Sequence, residues 1–261
     1  MPAQLARSDQ LRALLAMVPR DEETDTLVFL GDLIDRGPDA PGCIACVSEL
    51  QRENPERVLC LRGNHEQMLL DFVEGSSNLW ITPVTGGERT FEQYTGKPVV
   101  VNSENDLVEL RKLIESKIPA DHLEFMKQTP FFHEDDYAIY VHAGLEKGKH
   151  PRDSSPLSLL WMRDMDFYKN YTGKPCLFGH TPTPFLPLRG RLGRHGIYIS
   201  KSAIGLDTGY NHTSPLSALS LPDFTLYQAF ADGREETHQI TSFIPAGIRA
   251  MQKKVGWVVG D

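Results

Sequence analysis

Apolar residues in this chain fall into two recurring patterns, short unbroken runs and stripes at helical spacing. The first stripe is Leu11, Leu14, Leu15 and Val18, with Ser8 placed to cap it and Pro19 to stop it. A short run then spans Thr26 to Leu30 and breaks off at Gly31-Asp32. Ile44, Val47 and Leu50 lie in helical register, and a second run, Val58 to Leu61, ends in Arg62-Gly63-Asn64-His65. Strand, loop, helix, strand, loop, helix predicts an α/β protein. From about Glu66 to Asp136 the pattern is mostly helical, with Leu107, Leu110, Ile114 and Ile118 on one face and a shorter helix from His122 to Lys127. Strand-like runs return at Ala138 to Val141, Cys176 to Phe178, Ile197 to Ile199, Ile204 to Leu206, Leu216 to Leu221 and Thr225 to Ala229. No repeat, low-complexity tract or linker-like stretch interrupts residues 1–261. A single domain is expected, with a mostly helical insertion around 66–136.

The polar residues at the ends of these runs carry the chemistry. Asp32 follows the first run, Asn64 and His65 the second, His142 the third and His180 the fourth. In open α/β sheets, ligands bind beyond the carboxyl ends of strands, so four such loops are expected to converge on one site. Gly31, Gly37, Gly63, Gly144 and Gly179 crowd the same loops, where a missing side chain lets backbone approach an ion or a phosphate. One carboxylate, one amide oxygen and two imidazoles form a mixed oxygen and nitrogen donor set suited to divalent metals such as Mn, Fe or Zn. Taken singly, each has an ordinary explanation as a cap, a turn former or a satisfied buried polar group. Four at successive strand ends, each beside a glycine, outweigh those explanations.

Composition narrows the function. Of the residues, 40% are hydrophobic and 24% charged, and Lys plus Arg at 27 against Asp plus Glu at 35 give a formal charge of −8. A nucleic-acid partner would call for a basic surplus or stripe. The only basic crowding, Arg189, Arg191, Arg194 and Lys201, reads as a solvated loop. No apolar run approaches the roughly 18–20 residues of a membrane span. Arg7, Asp9 and Gln10 interrupt any signal-peptide core, so the expected compartment is the cytoplasm. Cys43 and Cys46 have redox-motif spacing, but they fall in a helical pattern with no second pair for zinc. Like Cys60 and Cys176, they are expected to be small buried thiols.

Gly31-Asp32-Leu33-Ile34-Asp35-Arg36-Gly37 and Arg62-Gly63-Asn64-His65-Glu66 resemble the signatures of the calcineurin-like metallophosphoesterases. More narrowly they resemble the bacterial and phage-type branch of the serine/threonine phosphoprotein phosphatases. His142-Ala143-Gly144, Leu160-Trp161-Met162-Arg163, Gly179-His180-Thr181-Pro182 and Leu206-Asp207-Thr208-Gly209 follow in that family's order. Thr85-Gly86-Gly87 and Phe91 to Tyr94 resemble a family segment near the substrate cleft. The likeness covers roughly residues 8 to 230. It implies a sandwich of two β-sheets flanked by helices, acting as a phosphomonoesterase on phosphoproteins or small phosphomonoesters.

The resemblance also implies roles. Asp32 would bridge two divalent ions about 3.5–4 Å apart, with Mn the first choice and Fe, Zn or Mg alternatives. Asn64, His142 and His180 would complete the second ion, and hydroxide held between the metals would attack phosphorus in line. His65 would protonate the leaving alkoxide, with Asp35 orienting its ring. Arg36 and Arg163 would hold the phosphoryl oxygens. One family motif, Asp-x-His-Gly after a first strand, has no counterpart here. Ala3-Gln4-Leu5-Ala6 stands in its place, so the first strand and part of the first metal site are expected to be missing. The chain as given would then hold at most one ion tightly. The retained acid and both arginines favour a late start to the chain over a degenerate member. Two other readings stay open. One is a dinucleoside tetraphosphate hydrolase, in whose family alanine usually replaces Asp35 and aspartate Glu66; the other is a non-catalytic phosphate-binding module.

Overall fold

Helices and several sheets build the chain, in keeping with the expected α/β architecture. The computed structural model describes residues 7–190, 196–209 and 213–249. Ala3-Gln4-Leu5-Ala6, the position of the absent motif, lies outside the described residues, as do Arg191, Arg194 and the side chain of Arg189. The chain divides into two compact units. Residues 7–9 and 21–130 belong to the first, and residues 10–20 with the described part of 131–249 to the second.

In the first unit, β1 (Leu27–Phe29) and β2 (Val58–Cys60) pair in parallel, with Leu27 opposite Val58 and Phe29 opposite Cys60. Parallel strands need a crossover, here the helix α2 (Ala40–Glu53). Asp39 caps α2, one carboxylate oxygen accepting the Gly42 amide at 2.9 Å. Its other oxygen accepts the hydroxyl of Ser8. Ser8 is therefore the first residue of α1 (Ser8–Met17) rather than its cap, because its side chain is committed to Asp39. Ala40, Cys43, Ile44, Cys46 and Val47 form the buried face of α2. Next come α3 (Asn64–Glu74), α4 (Gly87–Thr95), α5 (Glu104–Lys117) and α6 (Ala120–Gln128). The α5 start is a capping box, Ser103 and Asp106 each accepting the other's amide. Ile34, Ile44, Val47, Leu69, Phe72, Trp80, Phe91 and Ile114 are fully buried. Burial of each such side chain is worth about 1.5–3 kcal/mol against exposure.

The second unit holds two sheets. The larger runs β3 (Phe132–Glu134), β4 (Ile139–Val141), β5 (Cys176–Phe178), β7 (Ala203–Gly205) and β6 (Tyr198–Ser200) in spatial order. Neighbours β4, β5 and β7 are parallel, while the edge strands β3 and β6 are antiparallel. The helices α7 (Pro156–Trp161) and α8 (Met165–Asn170) accompany it. Ile139, Val141, Phe167, Tyr168, Cys176, Phe178 and Tyr198 share its core. The smaller sheet is β8 (Leu216–Leu219), β9 (Thr225–Ala229) and β10 (Glu235–Gln239), all antiparallel. Leu14 of α1 packs on Tyr227 and Ala229, and the Gln10 amide donates to the Ala229 carbonyl at 2.6 Å.

Several strand boundaries differ from the expected ones. β6 starts one residue later than expected and β7 one earlier, because a two-residue turn at Lys201 and Ser202 pairs Ser200 with Ala203. β8 stops at Leu219, ahead of Pro222, which has no amide to donate. β3 and β10 carry too little apolar signal to stand out; β10 has no large apolar residue, and Asp232-Gly233, with Gly233 at φ 84°, turns it back onto β9. All four cysteines are buried free thiols. Among the described residues, no helix is long and apolar enough to cross a membrane.

Candidate functional site

The first unit gathers five of the predicted site residues, Asp32, Asp35, Arg36, Asn64 and His65, on the loops that leave β1 and β2. The β1 loop is strained: Asp32, Asp35 and Arg36 adopt φ of 60°, 71° and 56°. Left-handed backbone costs a side-chain-bearing residue about 1–2 kcal/mol. Only six non-glycine residues among those described have positive φ, and a fourth is His180. Such outliers concentrate where function holds the backbone in place.

Glu66 supplies much of that hold. Its carboxylate accepts the amides of Asp32 at 2.9 Å, Leu33 at 2.6 Å and Gly63 at 3.0 Å, tying the β1 loop to the start of α3. The two loops touch through glycine. A Cβ on Gly31 would lie 2.5 Å from the Gly63 nitrogen, and one on Gly63 would lie 2.3 Å from Asp32 N and Oδ1. Asp32 Oδ1 in turn accepts the His65 amide at 3.2 Å, a use of the exposed donors at a helix N-terminus. Arg62, beside them, has its guanidinium buried against Thr129, Gln67 and the Lys127 carbonyl, and burial lowers its pKa.

At the centre, Asp35 Oδ2 lies 2.6 Å from His65 Nδ1. Asp35 is wholly buried and His65 nearly so. Asp35 Oδ1 accepts the Trp80 indole N–H at 3.1 Å and the Thr90 hydroxyl at 2.8 Å. Ionised carboxylate is acceptor-only, so Nδ1 of His65 donates and Nε2 is the atom free to exchange a proton with a ligand. Burial disfavours the imidazolium, but Asp32 and Asp35 outweigh it, and the His65 pKa is raised. Arg36 stands next in the chain, its amide on the Gly86 carbonyl at 3.4 Å and its own carbonyl accepting from Arg89 at 3.3 Å. Its buried Nε has no hydrogen-bond partner among the described residues, an opening for an anionic ligand.

The second unit gathers His142, His180 and Arg163. His142 follows β4 directly, and His180 follows β5 by one glycine. The Gly179 amide donates to the His142 carbonyl at 2.8 Å, continuing the strand pairing past the sheet. The two imidazoles therefore meet edge to face, centroids 5.1 Å apart, and both are buried. The Trp161 ring packs 5.9 Å from that of His180. Arg163, two residues past α7, donates from Nε to His180 Nε2 at 3.3 Å. Tyr168 fixes its approach, with its hydroxyl on the Met162 carbonyl at 3.1 Å and Thr181 Oγ1 at 2.9 Å.

Glu66, Trp80, Thr90 and Tyr168 hold these loops through hydrogen bonds, and the sequence pattern assigned them no role. For Glu66 a signal existed, an acid three residues after a helix cap, Gly63. The other three reach their partners only through tertiary folding. The paired imidazoles of one unit, and the amide-oriented carboxylate and buried carboxamide of the other, are each donor types that divalent transition metals accept.

Residues 5–207 match the model of a family described as calcineurin-like phosphoesterase. Among curated proteins, the chain is 46% identical over 69 residues to serine/threonine-protein phosphatase 1 of Salmonella typhimurium, covering 26% of this chain and 28% of that one. It is 29% identical over 136 residues to the symmetrical bis(5'-nucleosyl)-tetraphosphatase of Nitrosospira multiformis, covering 52% and 39%. It is 26% identical over 216 residues to the asymmetrical bis(5'-nucleosyl)-tetraphosphatase of Oceanobacillus iheyensis, covering 76% and 74%. The chain thus spans well under half the length of the first two relatives. Of solved structures, a metallophosphoesterase from Sphaerobacter thermophilus aligns at TM-score 0.43 and 16% identity, covering 97% of this chain and 92% of the other. A protein serine/threonine phosphatase from Saccharomyces cerevisiae aligns at TM-score 0.45 and 14% identity, covering 91% and 78%. With the family match extending over most of its length, the chain belongs to the metal-dependent calcineurin-like phosphoesterases.

Proposed function

We propose that the chain hydrolyses phosphomonoesters, with phosphoserine or phosphothreonine in proteins, or small alkyl phosphates, as substrate. The buried Asp35–His65 pair carries this reading, because its 2.6 Å bond holds Nδ1–H on the carboxylate and supports the imidazolium, whose Nε2–H is the proton available to a leaving group. An alkyl phosphomonoester expels a strongly basic alkoxide that needs such a proton. Asp32, Asn64, His142 and His180 would hold divalent metal, with Mn the first choice. Bound there, the ion would supply positive charge at the phosphoryl oxygens and lower the pKa of water. Arg36 and Arg163 would grip the phosphoryl oxygens with planar paired donors. As the ester P–O bond breaks, His65 Nε2 gives its proton to the leaving oxygen, and Asp35 steadies the ring through the transfer.

A second reading has support from the likeness to proteins named bis(5'-nucleosyl)-tetraphosphatases, one of them over 76% of the chain. Anhydride cleavage expels a nucleotide phosphate, a weak base that needs little protonation, so the same His65 would have less to do there. The test compares a phosphoserine peptide, 4-nitrophenyl phosphate and diadenosine tetraphosphate, with native chain and His65→Asn. We expect kcat on the phosphoserine peptide to fall about 10²–10⁴-fold, with KM little changed. The aryl phosphate should lose much less. Faster turnover of the tetraphosphate than of the peptide by native chain would favour the second reading, and an equal loss on alkyl and aryl esters would remove His65 as the acid.

A further inference from the structure

We propose that Thr90 and Trp80 are positioning residues for proton transfer, acting on His65 through Asp35. This rests on the reading of His65 as the proton donor. Both side chains are fully buried, so neither touches substrate. Their effect runs through the hydrogen bonds of one carboxylate. Asp35 Oδ2 faces His65, while Oδ1 takes both the Trp80 N–H at 3.1 Å and the Thr90 hydroxyl at 2.8 Å. Thr90 Oγ1 also accepts the backbone amide of Asp35 at 2.9 Å.

That last contact sets the polarity of the arrangement. The Asp35 amide donates into the Thr90 oxygen, which leaves the single hydroxyl proton of Thr90 for Oδ1. Indole is donor-only, so Oδ1 is occupied by two neutral donors and Oδ2 alone remains for imidazole. Thr90 therefore grips Asp35 at both its backbone and its carboxylate, and it does so where the backbone is left-handed, at φ 71°. Rotation of the carboxylate would break two hydrogen bonds in a buried interior, where unmade bonds are costly. The His65 ring then has one stable arrangement, Nδ1–H on Asp35 and Nε2 outward.

The brace is itself packed without slack. A Cβ on Gly87 would fall 2.1 Å from the Trp80 carbonyl and 2.7 Å from its Nε1. The Thr85 hydroxyl donates to the Trp80 carbonyl at 2.5 Å, and the Phe72 ring lies 5.5 Å from the indole. Gly86, at φ 83°, lies against Arg36, whose Cγ a Cβ there would meet at 2.5 Å. The Trp80 to Thr90 segment thus backs Asp35 and Arg36 together.

Three variants of the full chain test the proposal: Thr90→Val, which keeps shape and loses the hydroxyl; Thr90→Ser, which restores it; and Trp80→Phe, which removes the N–H together with part of the ring. Ring-nitrogen NMR spectra of histidine-labelled protein, with the His65 signals assigned by their loss in His65→Asn, report the tautomer without any need for turnover. At a pH where the ring is neutral, native chain and Thr90→Ser should show His65 in the Nδ1–H form, and Thr90→Val and Trp80→Phe a mixture with shifted resonances. Alongside, Thr90→Val should lower kcat on the alkyl phosphate about tenfold, with little change on the aryl phosphate or in KM. Should the valine variant fail to fold, Trp80→Phe carries the same expectation. Unmoved His65 resonances in the folded variants would overturn the proposal. Moved resonances with an unchanged ratio of alkyl to aryl rates would uphold the brace and instead remove His65 from the role of acid.

Discussion

The shortest carboxylate–imidazole pairs of the two units, among the described residues, are nearly equal in length. In the first unit, Asp35 and His65 meet at 2.6 Å with side chains 0% and 3% exposed. In the second, Glu134 and His150 meet at 2.7 Å with side chains 30% and 36% exposed. The remaining oxygen of Glu134 takes the Lys174 ammonium at 3.0 Å, whereas that of Asp35 takes an indole and a hydroxyl from the core. Water and salt can replace either partner of Glu134 at small cost. Neither can reach Asp35, where a lost partner leaves charge stranded in low dielectric. Distance does not separate a buried dyad from a surface pair; burial and the chemistry of the remaining donors do.

The largest expected effect breaks the buried pair. Asn tolerates the left-handed backbone of Asp35, so Asp35→Asn isolates the loss of charge from backbone strain. Its carboxamide must turn a donor towards either His65 or the Trp80–Thr90 side. We expect a cost on the order of 3 kcal/mol, read from urea unfolding at pH 7. A cost below about 1 kcal/mol would put Asp35 in the class of exposed pairs and undo the comparison.

Next comes Glu66→Gln, which sharpens what the first unit needs from buried charge. Three amides point at this carboxylate, and glutamine must set its own N–H₂ against at least one of them. About 2 kcal/mol should be lost, with faster hydrogen exchange at Asp32, Leu33 and Gly63. Unchanged exchange at those three amides would mean that strand packing, not Glu66, holds the β1 loop.

Much of this was legible in the sequence because polar residues at strand ends declare themselves against apolar runs. Asp32, Asn64, His142 and His180 stand beyond β1, β2, β4 and β5, within four residues of each strand. The Asp35–His65 pair was legible through family resemblance and not through spacing. Its brace was not legible at all, since Trp80 and Thr90 lie 45 and 55 positions from Asp35 and carry no periodic signal. β10 escaped for a different reason: its hydrogen bonds to β9 make it a strand, and such bonds leave no mark on hydropathy. Ser8 had the sequence of a cap, but a tertiary partner, Asp39, claimed its hydroxyl.

The smallest effect belongs to the exposed pair and depends on pH. The Lys174 hydrogen bond, opposed by slight burial and assisted by His150, holds the Glu134 pKa below the ordinary value of 4.5. A depressed carboxylate pKa means that the unfolded chain binds this proton more readily than the folded one, so stability rises with pH across the window between the two values. The contribution is complete above about pH 4.5 and fades as pH falls through the lowered folded value. Glu134→Gln should therefore cost about 0.5 kcal/mol at pH 7. That difference should shrink in acid and under high salt, which screens charges this exposed. Urea unfolding of native chain and variant from neutral to acidic pH measures it directly. A gap that stayed constant into acid would trace to the hydrogen-bond geometry of the side chain rather than its charge, and a gap approaching that of Asp35→Asn would show that exposure is not what separates the two pairs.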